Sequence, residues 1–269
     1  ILVEAAPLIF STLKTLKEKV KLATILGTFQ ASLTNLKRLR PKWVHNTEEE
    51  ALLGVSLTGI MDNSFMNGSE SRGHHGKKSL PDFLIELKKQ TVTTNKKWSA
   101  TLGINQATAT TAIKPSGTVS QLVDSASGIH TRHNDYYLRR VRADAKDPIA
   151  QLMEDQGIPC EPDVMKPNSV KVFTFPMKAP KNAILRDAMT AIEQLENWII
   201  YQRHWCEHKP SVTISVKDDE WVEVGAWVWK HFDEISGVSF LPHSDHTYKQ
   251  APYEDCSKEQ YQELLSRTP

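Results

Sequence analysis

Residues 112–122 read AIKPSGTVSQL: a short apolar run broken at Lys114-Pro115, then Ser116, Gly117, Thr118 and Ser120 set around Val119. Proline has no N–H and pushes the residue before it towards extended backbone, so a strand has to end here. Gly117 has access to positive φ, which lets consecutive backbone N–H groups converge on an anion. The hydroxyls of Ser116, Thr118 and Ser120 add donors of suitable reach. A helix continuing through QLVDSASGI would bring a favourable N-terminal dipole to the same point. Such a strand–loop–helix unit suits a phosphate or diphosphate. A plain Ser/Thr-capped turn explains the same six residues taken alone. It is not a Walker loop, because no Gly-Lys-Ser/Thr follows a first glycine at the required spacing.

The elements that must position this loop alternate along the chain. Residues 9–38 carry apolar positions at helical spacing with lysines between them, which predicts one or two amphipathic helices. LLGVSLTGI (52–60) reads as a buried strand, NGSESRGHHGKKS (67–79) as a surface loop, and the stretch from Pro81 as a helix. ATATTAI (107–113) is a strand leading into the loop, and YYLRRVRAD (136–144) a strand or an extended crossing. DPIAQLMEDQG (147–157) has Asp147 as N-cap and Gly157 as stop; SVKVFTFPM (169–177) is a strand ended by Pro176. Residues 182–208 carry the longest helical pattern, followed by a strand (211–216), a helix (218–235) and a strand (236–242). This alternation predicts an α/β fold with a largely parallel, buried sheet, and no linker divides it into domains.

Composition narrows the function classes. Hydrophobic residues make up 39% of 269 and charged residues 24%, as in ordinary globular chains. The net charge of +1 supplies no basic field for duplex DNA or an anionic membrane. No apolar run approaches the ~20 residues of a membrane span. The opening ILVEAAPLIF lacks a basic n-region and an initiator Met, so it is not a signal peptide and the chain is expected to be a fragment. Cys160, Cys206 and Cys256 form no CxxC pair, which makes a reducing cytoplasm the expected location.

Four blocks together resemble a known family: AIKPSGTVSQLVDSASGIHTRHNDYYLRRVR (112–142), ALLGVSLTGIMD (51–62), RHWCEHKPSVTISV (203–216) and GVSFLPHSDHTYKQAPYE (237–254). In order and spacing they are similar to the adenosylcobalamin-dependent (class II) ribonucleotide reductases, notably the monomeric triphosphate-reducing kind. The resemblance implies part of a ten-stranded α/β barrel, of the kind shared with glycyl-radical enzymes, with residues 1–269 a single partial domain from its C-terminal half. It also implies that Ser116, Gly117, Thr118, Val119 and Ser120 grip the substrate's phosphates. The activity it implies is thiyl-radical reduction of ribonucleotides to 2′-deoxyribonucleotides for DNA synthesis. Its partners would be adenosylcobalamin, a ribonucleoside triphosphate or diphosphate, a thioredoxin-like reductant, and a deoxynucleotide effector bound outside this stretch.

The family's finger-loop cysteine, flanked by Asn and Glu, occurs nowhere here, and no cysteine follows Cys256. By resemblance the stretch therefore holds no catalytic residue and no metal ligand of its own, and alone it should not turn over. A non-catalytic phosphate-binding or interaction module derived from a reductase is the alternative. His204-Trp205-Cys206-Glu207-His208 matches the HxxEH zinc-peptidase pattern, but it falls in the last helical turn before Lys209-Pro210. His243-Ser244-Asp245-His246 reads as a hydrogen-bonded loop and His74-His75 as solvated. Arg139, Arg140 and Arg142 read as an ion-paired face with a possible role at phosphate, and Trp221, Trp227 and Trp229 as packing.

Overall fold

The structure is a computed structural model that describes residues 2–5, 12–69, 79–243 and 248–269. Residues 70–78, with His74 and His75, and Ser244, Asp245 and His246 lie outside the described residues. The chain forms two compact units, residues 1–131 with 182–242 and residues 132–181 with 243–269.

The first unit begins with β1 (Leu2–Ala5) and α1 (Leu13–Ala31), which starts where the Thr12 hydroxyl accepts the N–H of Thr15. Leu16, Val20, Ala23, Gly27 and Ala31 form the buried face of α1 at helical spacing. The sequence pattern over 9–38 thus gives one helix. A short helix, α2 (Pro41–Glu50), follows with no buried residue, and nothing in the apolar pattern announces it.

β2 (Gly54–Leu57) is buried at every position, as a parallel strand covered on both faces must be. α3 (Leu80–Leu102) has the Ser79 hydroxyl as cap, Pro81 in its first turn and Gly103 at φ +68 as its stop. It packs beside α1, with Asn95 Nδ2 donating to the buried Thr28 hydroxyl at 3.1 Å. β3 is only Thr111–Ala112, shorter than ATATTAI predicts. β1, β2 and β3 form a parallel sheet with Val55 opposite Thr111. One helical turn, α4 (Val119–Leu122), closes this part of the unit.

The second unit is built from β4 (Tyr136–Asp144), α5 (Pro148–Asp155), β5 (Cys160–Pro162) and β6 (Val170–Lys178). Its sheet is antiparallel, which corrects the expectation of a largely parallel fold. β6 also runs through Pro176 instead of ending there. The Thr174 N–H points to Pro159 O, so position 176 faces the same side, beyond the end of β5. The missing N–H of proline has no partner to lose at such an edge.

The chain returns to the first unit with α6 (Ala191–His204), β7 (Val212–Val216), α7 (Trp221–Lys230) and β8 (Val238–Pro242), the two strands pairing in parallel. α6 is shorter than the 182–208 pattern, because Thr190 and Glu193 close a capping box that sets its start. Trp198 and Trp205 are fully buried, and the Trp205 indole donates to Ala112 O at 2.8 Å, locking the helix end onto β3. Of the three tryptophans read as packing, Trp227 is buried, while Trp221 is 39% and Trp229 84% exposed. β9 (Tyr253–Asp255) and α8 (Lys258–Arg267) complete the second unit, whose strand order is β5-β6-β4-β9.

The capping box yields a direct test. Thr190→Ala removes the side-chain acceptor for the Glu193 N–H and should lower stability by about 1 kcal/mol, read from urea unfolding with an unchanged m-value.

Candidate phosphate-binding site

β2 and β3 end side by side, and the residues after each form the candidate site. Lys114 donates its backbone N–H to the Ser56 hydroxyl at 3.0 Å and its ammonium to the Ser211 hydroxyl at 2.6 Å. The chain then turns through Pro115 into the five residues singled out by sequence, and they divide by burial. Ser116 and Ser120 face inward at 8% and 0% exposure, whereas Gly117, Thr118 and Val119 are exposed.

The two buried serines bond to each other. The Ser120 N–H donates to Ser116 Oγ at 3.1 Å, and the Ser120 hydroxyl donates to Ser116 O at 2.5 Å. Gln121 Nε2 reaches the Ser120 hydroxyl at 3.2 Å. These hydroxyls shape the loop, and the exposed tip Gly117–Val119 is the part turned outward.

Two sequence expectations need correction here. Gly117 does not adopt positive φ. A Cβ added to it would meet nothing within 4 Å, so the glycine leaves open space above the backbone instead of permitting a strained turn. The helix after the loop is a single turn: Val123 closes it and Asp124 sits at φ 45. Ser125 then folds back, its N–H donating to Ser120 O at 2.8 Å, so residues 121–129 do not continue as a helix and supply no long helix dipole.

Those residues have another task. Ser127 spans both backbone groups of Ser116: its hydroxyl accepts the Ser116 N–H at 2.8 Å and donates to Ser116 O at 2.9 Å. The segment Ala126–Gly128 is in turn held by the turn after β2. Asp62 accepts the Ala126 N–H at 2.8 Å, and the Gly59 N–H donates to Ala126 O at 2.7 Å. The Thr58 hydroxyl accepts from Gly128 N–H at 2.9 Å and donates to Ala126 O at 3.1 Å. Gly59 is required: it has φ +79, and a Cβ there would lie 2.9 Å from Ser125 Cβ. Thr58, Asp62 and Ser127 lie inside the family blocks at 51–62 and 112–142, and no motif in the sequence marks their role. Small and polar residues at the ends of two strands were the available signal.

His130 extends the same brace. Its Nδ1 bonds Ser127 O at 3.1 Å, and its Nε2 accepts the N–H of Thr213, in β7, at 3.0 Å. Because Nε2 accepts, the ring is neutral with its proton on Nδ1. Burial pulls its pKa below the usual 6.5, partly offset by the bond to the Ser127 carbonyl.

The rival residues are committed elsewhere. α6 ends at His204, so Glu207 and His208 lie past its end and the HxxEH residues do not share one helix face. The Glu207 carboxylate accepts the Thr110 N–H at 2.6 Å and hydroxyl at 2.8 Å, and His208 Nε2 donates to Leu53 O at 2.8 Å. Among the described residues no group of three or more His, Cys, Asp or Glu is set to hold a metal ion. Burial raises all three thiols, Cys206 most strongly. In the second unit Arg140 pairs with Glu254 at 2.6 Å, Arg142 with Asp163 at 2.7 Å, and Arg139 with the Tyr253 hydroxyl and ring. His243 is the one member of the 243–246 cluster inside the described residues. No helix among the described residues is long and apolar enough to cross a membrane.

No family model matches the chain. It is 30% identical over 232 residues to an adenosylcobalamin-dependent ribonucleoside-triphosphate reductase of Lactobacillus acidophilus, covering 78% of this chain and 31% of that protein. A probable reductase of the same kind from Dictyostelium discoideum is 29% identical over 262 residues, 94% of this chain and 32% of that one. The chain thus spans about a third of the length of the curated relatives it matches. A crystal structure of a B12-dependent (class II) ribonucleotide reductase superposes with a TM-score of 0.73 at 22% identity, over 98% of this chain and 40% of that one. The fold likeness extends over nearly the whole chain, and the resemblance read from the four sequence blocks holds.

Two outcomes are expected from this geometry. Gly117→Ala should leave stability within about 0.5 kcal/mol, whereas Gly59→Ala should cost more than about 1 kcal/mol, both measured by denaturant unfolding. The depressed pKa of His130 means the unfolded chain binds a proton first as pH falls. Its contribution is present above 6.5 and is lost as pH drops towards the lower folded value. The melting temperature should therefore fall less between pH 7 and pH 5 in His130→Gln than in the parent.

Proposed function

We propose that this chain, a relative of one stretch of the adenosylcobalamin-dependent ribonucleoside-triphosphate reductases, is the phosphate-gripping part of such an enzyme. In this reading residues 1–269 are a single partial domain, the C-terminal half of a ten-stranded α/β barrel. Ser116, Gly117, Thr118, Val119 and Ser120 form the loop that grips the phosphates of a ribonucleoside triphosphate or diphosphate. The observation that carries the reading is the loop tip: Gly117, Thr118 and Val119 are exposed at the end of β3, and apart from its two chain neighbours no described residue comes within 4 Å of where a Gly117 Cβ would be. An anion can approach the main chain there to hydrogen-bonding distance, with the Thr118 hydroxyl beside it.

The five residues divide the work. Ser116 and Ser120 hold the loop's shape, and Gly117–Val119 meet the ligand. Lys114 stands one residue ahead of Pro115 with a cationic head, a charge of the right sign for a polyphosphate. Adenosylcobalamin, when bound, supplies the radical that begins the reduction. The described residues include no metal-holding cluster, and the loop offers hydroxyls and amides suited to phosphate rather than to a corrin. A thioredoxin-like reductant and a deoxynucleotide effector acting outside this stretch complete the proposal, with the cytoplasm as its setting.

The test is ribonucleoside-triphosphate binding, measured by calorimetry with ATP and CTP. Gly117→Ala and Thr118→Ala should each weaken binding by roughly ten- to a hundredfold without lowering the melting temperature. Unchanged affinity in both variants would contradict the assignment. Ser116→Ala with Thr118→Ala should bind more weakly than Thr118→Ala alone and melt lower, because the buried Ser120 N–H loses its acceptor.

A further inference from the structure

The loop's buried half is bonded to a segment beyond the loop itself. Ser116 is 8% exposed, and its backbone N–H and C=O both end on one side chain, the hydroxyl of Ser127. A hydroxyl both donates and accepts at a single atom, so one small side chain reaches both groups, with the Ser120 hydroxyl as a second donor to Ser116 O at 2.5 Å. Ser127 is itself held from two sides: Ala126 is fixed by Asp62, and the Ser127 carbonyl receives His130 Nδ1 at 3.1 Å. The position of Ser116, and with it the direction of the amides that follow, is therefore transmitted from the turn after β2 through Ser127.

We propose that Ser127 is a positioning residue for phosphate binding, setting the orientation of the Gly117–Val119 tip through its two hydrogen bonds to Ser116. This rests on the reading of the loop as the phosphate grip. Ser127 makes no ligand contact in the proposal; it acts by fixing the backbone to which the ligand bonds. Such a brace matters because a polyphosphate is recognised by several donors at once, and a small rotation of the loop misaligns them together.

The experiment measures ATP and inorganic triphosphate affinity by calorimetry, at a temperature where circular dichroism shows each variant folded. Ser127→Ala should weaken both ligands by about tenfold or more, and Ser127→Thr, which keeps the hydroxyl, should restore most of the loss. Ser127→Cys keeps the size with a weaker donor and acceptor; it replaces the alanine variant should that not fold, and should bind both ligands more weakly than the parent and than Ser127→Thr. Equal weakening of ATP and inorganic triphosphate is expected, because the brace acts on the phosphate end of the ligand. The inference is overturned if Ser127→Ala, or Ser127→Cys in its place, binds as the parent does while Thr118→Ala does not. It is also overturned if Ser127→Thr binds no better than Ser127→Ala. A parent chain that binds neither ligand overturns the reading of the loop itself, and Ser127's role with it.

Discussion

Asp62 is buried, and its carboxylate accepts the N–H of Ala126 at 2.8 Å. With Thr58 and Gly59 it satisfies the backbone of a segment that otherwise has no regular structure, Ala126–Gly128. Buried main-chain groups without partners are costly, so these bonds decide whether the segment can lie against the end of β2 at all. The loop at residues 116–120 leans on that segment through Ser127. The exposed backbone of the candidate site thus leans on a buried carboxylate, Asp62, and on the hydroxyls of Thr58 and Ser127 behind it.

The scaffold beneath is conventional in its physics. A parallel strand buried on both faces, β2, is covered by helices whose apolar faces form one core with α6 and β7. Two indoles do more than fill space. Trp205 donates to Ala112 O and Trp198 to Pro210 O at 3.0 Å, so large apolar surfaces are buried while main-chain carbonyls near strand ends stay satisfied. The second unit follows other rules, with an antiparallel sheet carrying Arg–carboxylate pairs on partly exposed faces. Such partly exposed pairs contribute at most about 1 kcal/mol each.

The HxxEH residues show how a sequence pattern can be satisfied by structure alone. Their spacing matches a metal-binding helix, yet the helix stops at His204, and Glu207 and His208 serve the backbone of Thr110 and Leu53. A carboxylate that accepts a main-chain N–H at 2.6 Å is doing what a strand-end residue requires. The arginines at 139, 140 and 142 follow the same logic, each partnered within its own unit.

Much was legible in the sequence because it depends on neighbours along the chain. Pro81 opens α3, Asp147 caps α5, and the apolar runs mark β2, β7 and β8, since caps and burial periodicity are local properties. The phosphate-loop candidate was legible for the same reason: proline, glycine and hydroxyls act within a few residues. Tertiary structure alone decided which hydroxyls face inward, that Gly117 gives space rather than positive φ, and that the stretch after α4 folds back instead of continuing as a helix. It also decided that β6 passes through Pro176, because only the end of β5 leaves that position without a neighbour to pair. These outcomes turn on bonds between residues far apart in sequence, such as Asp62 with Ala126 and His130 with Thr213, which no local pattern encodes.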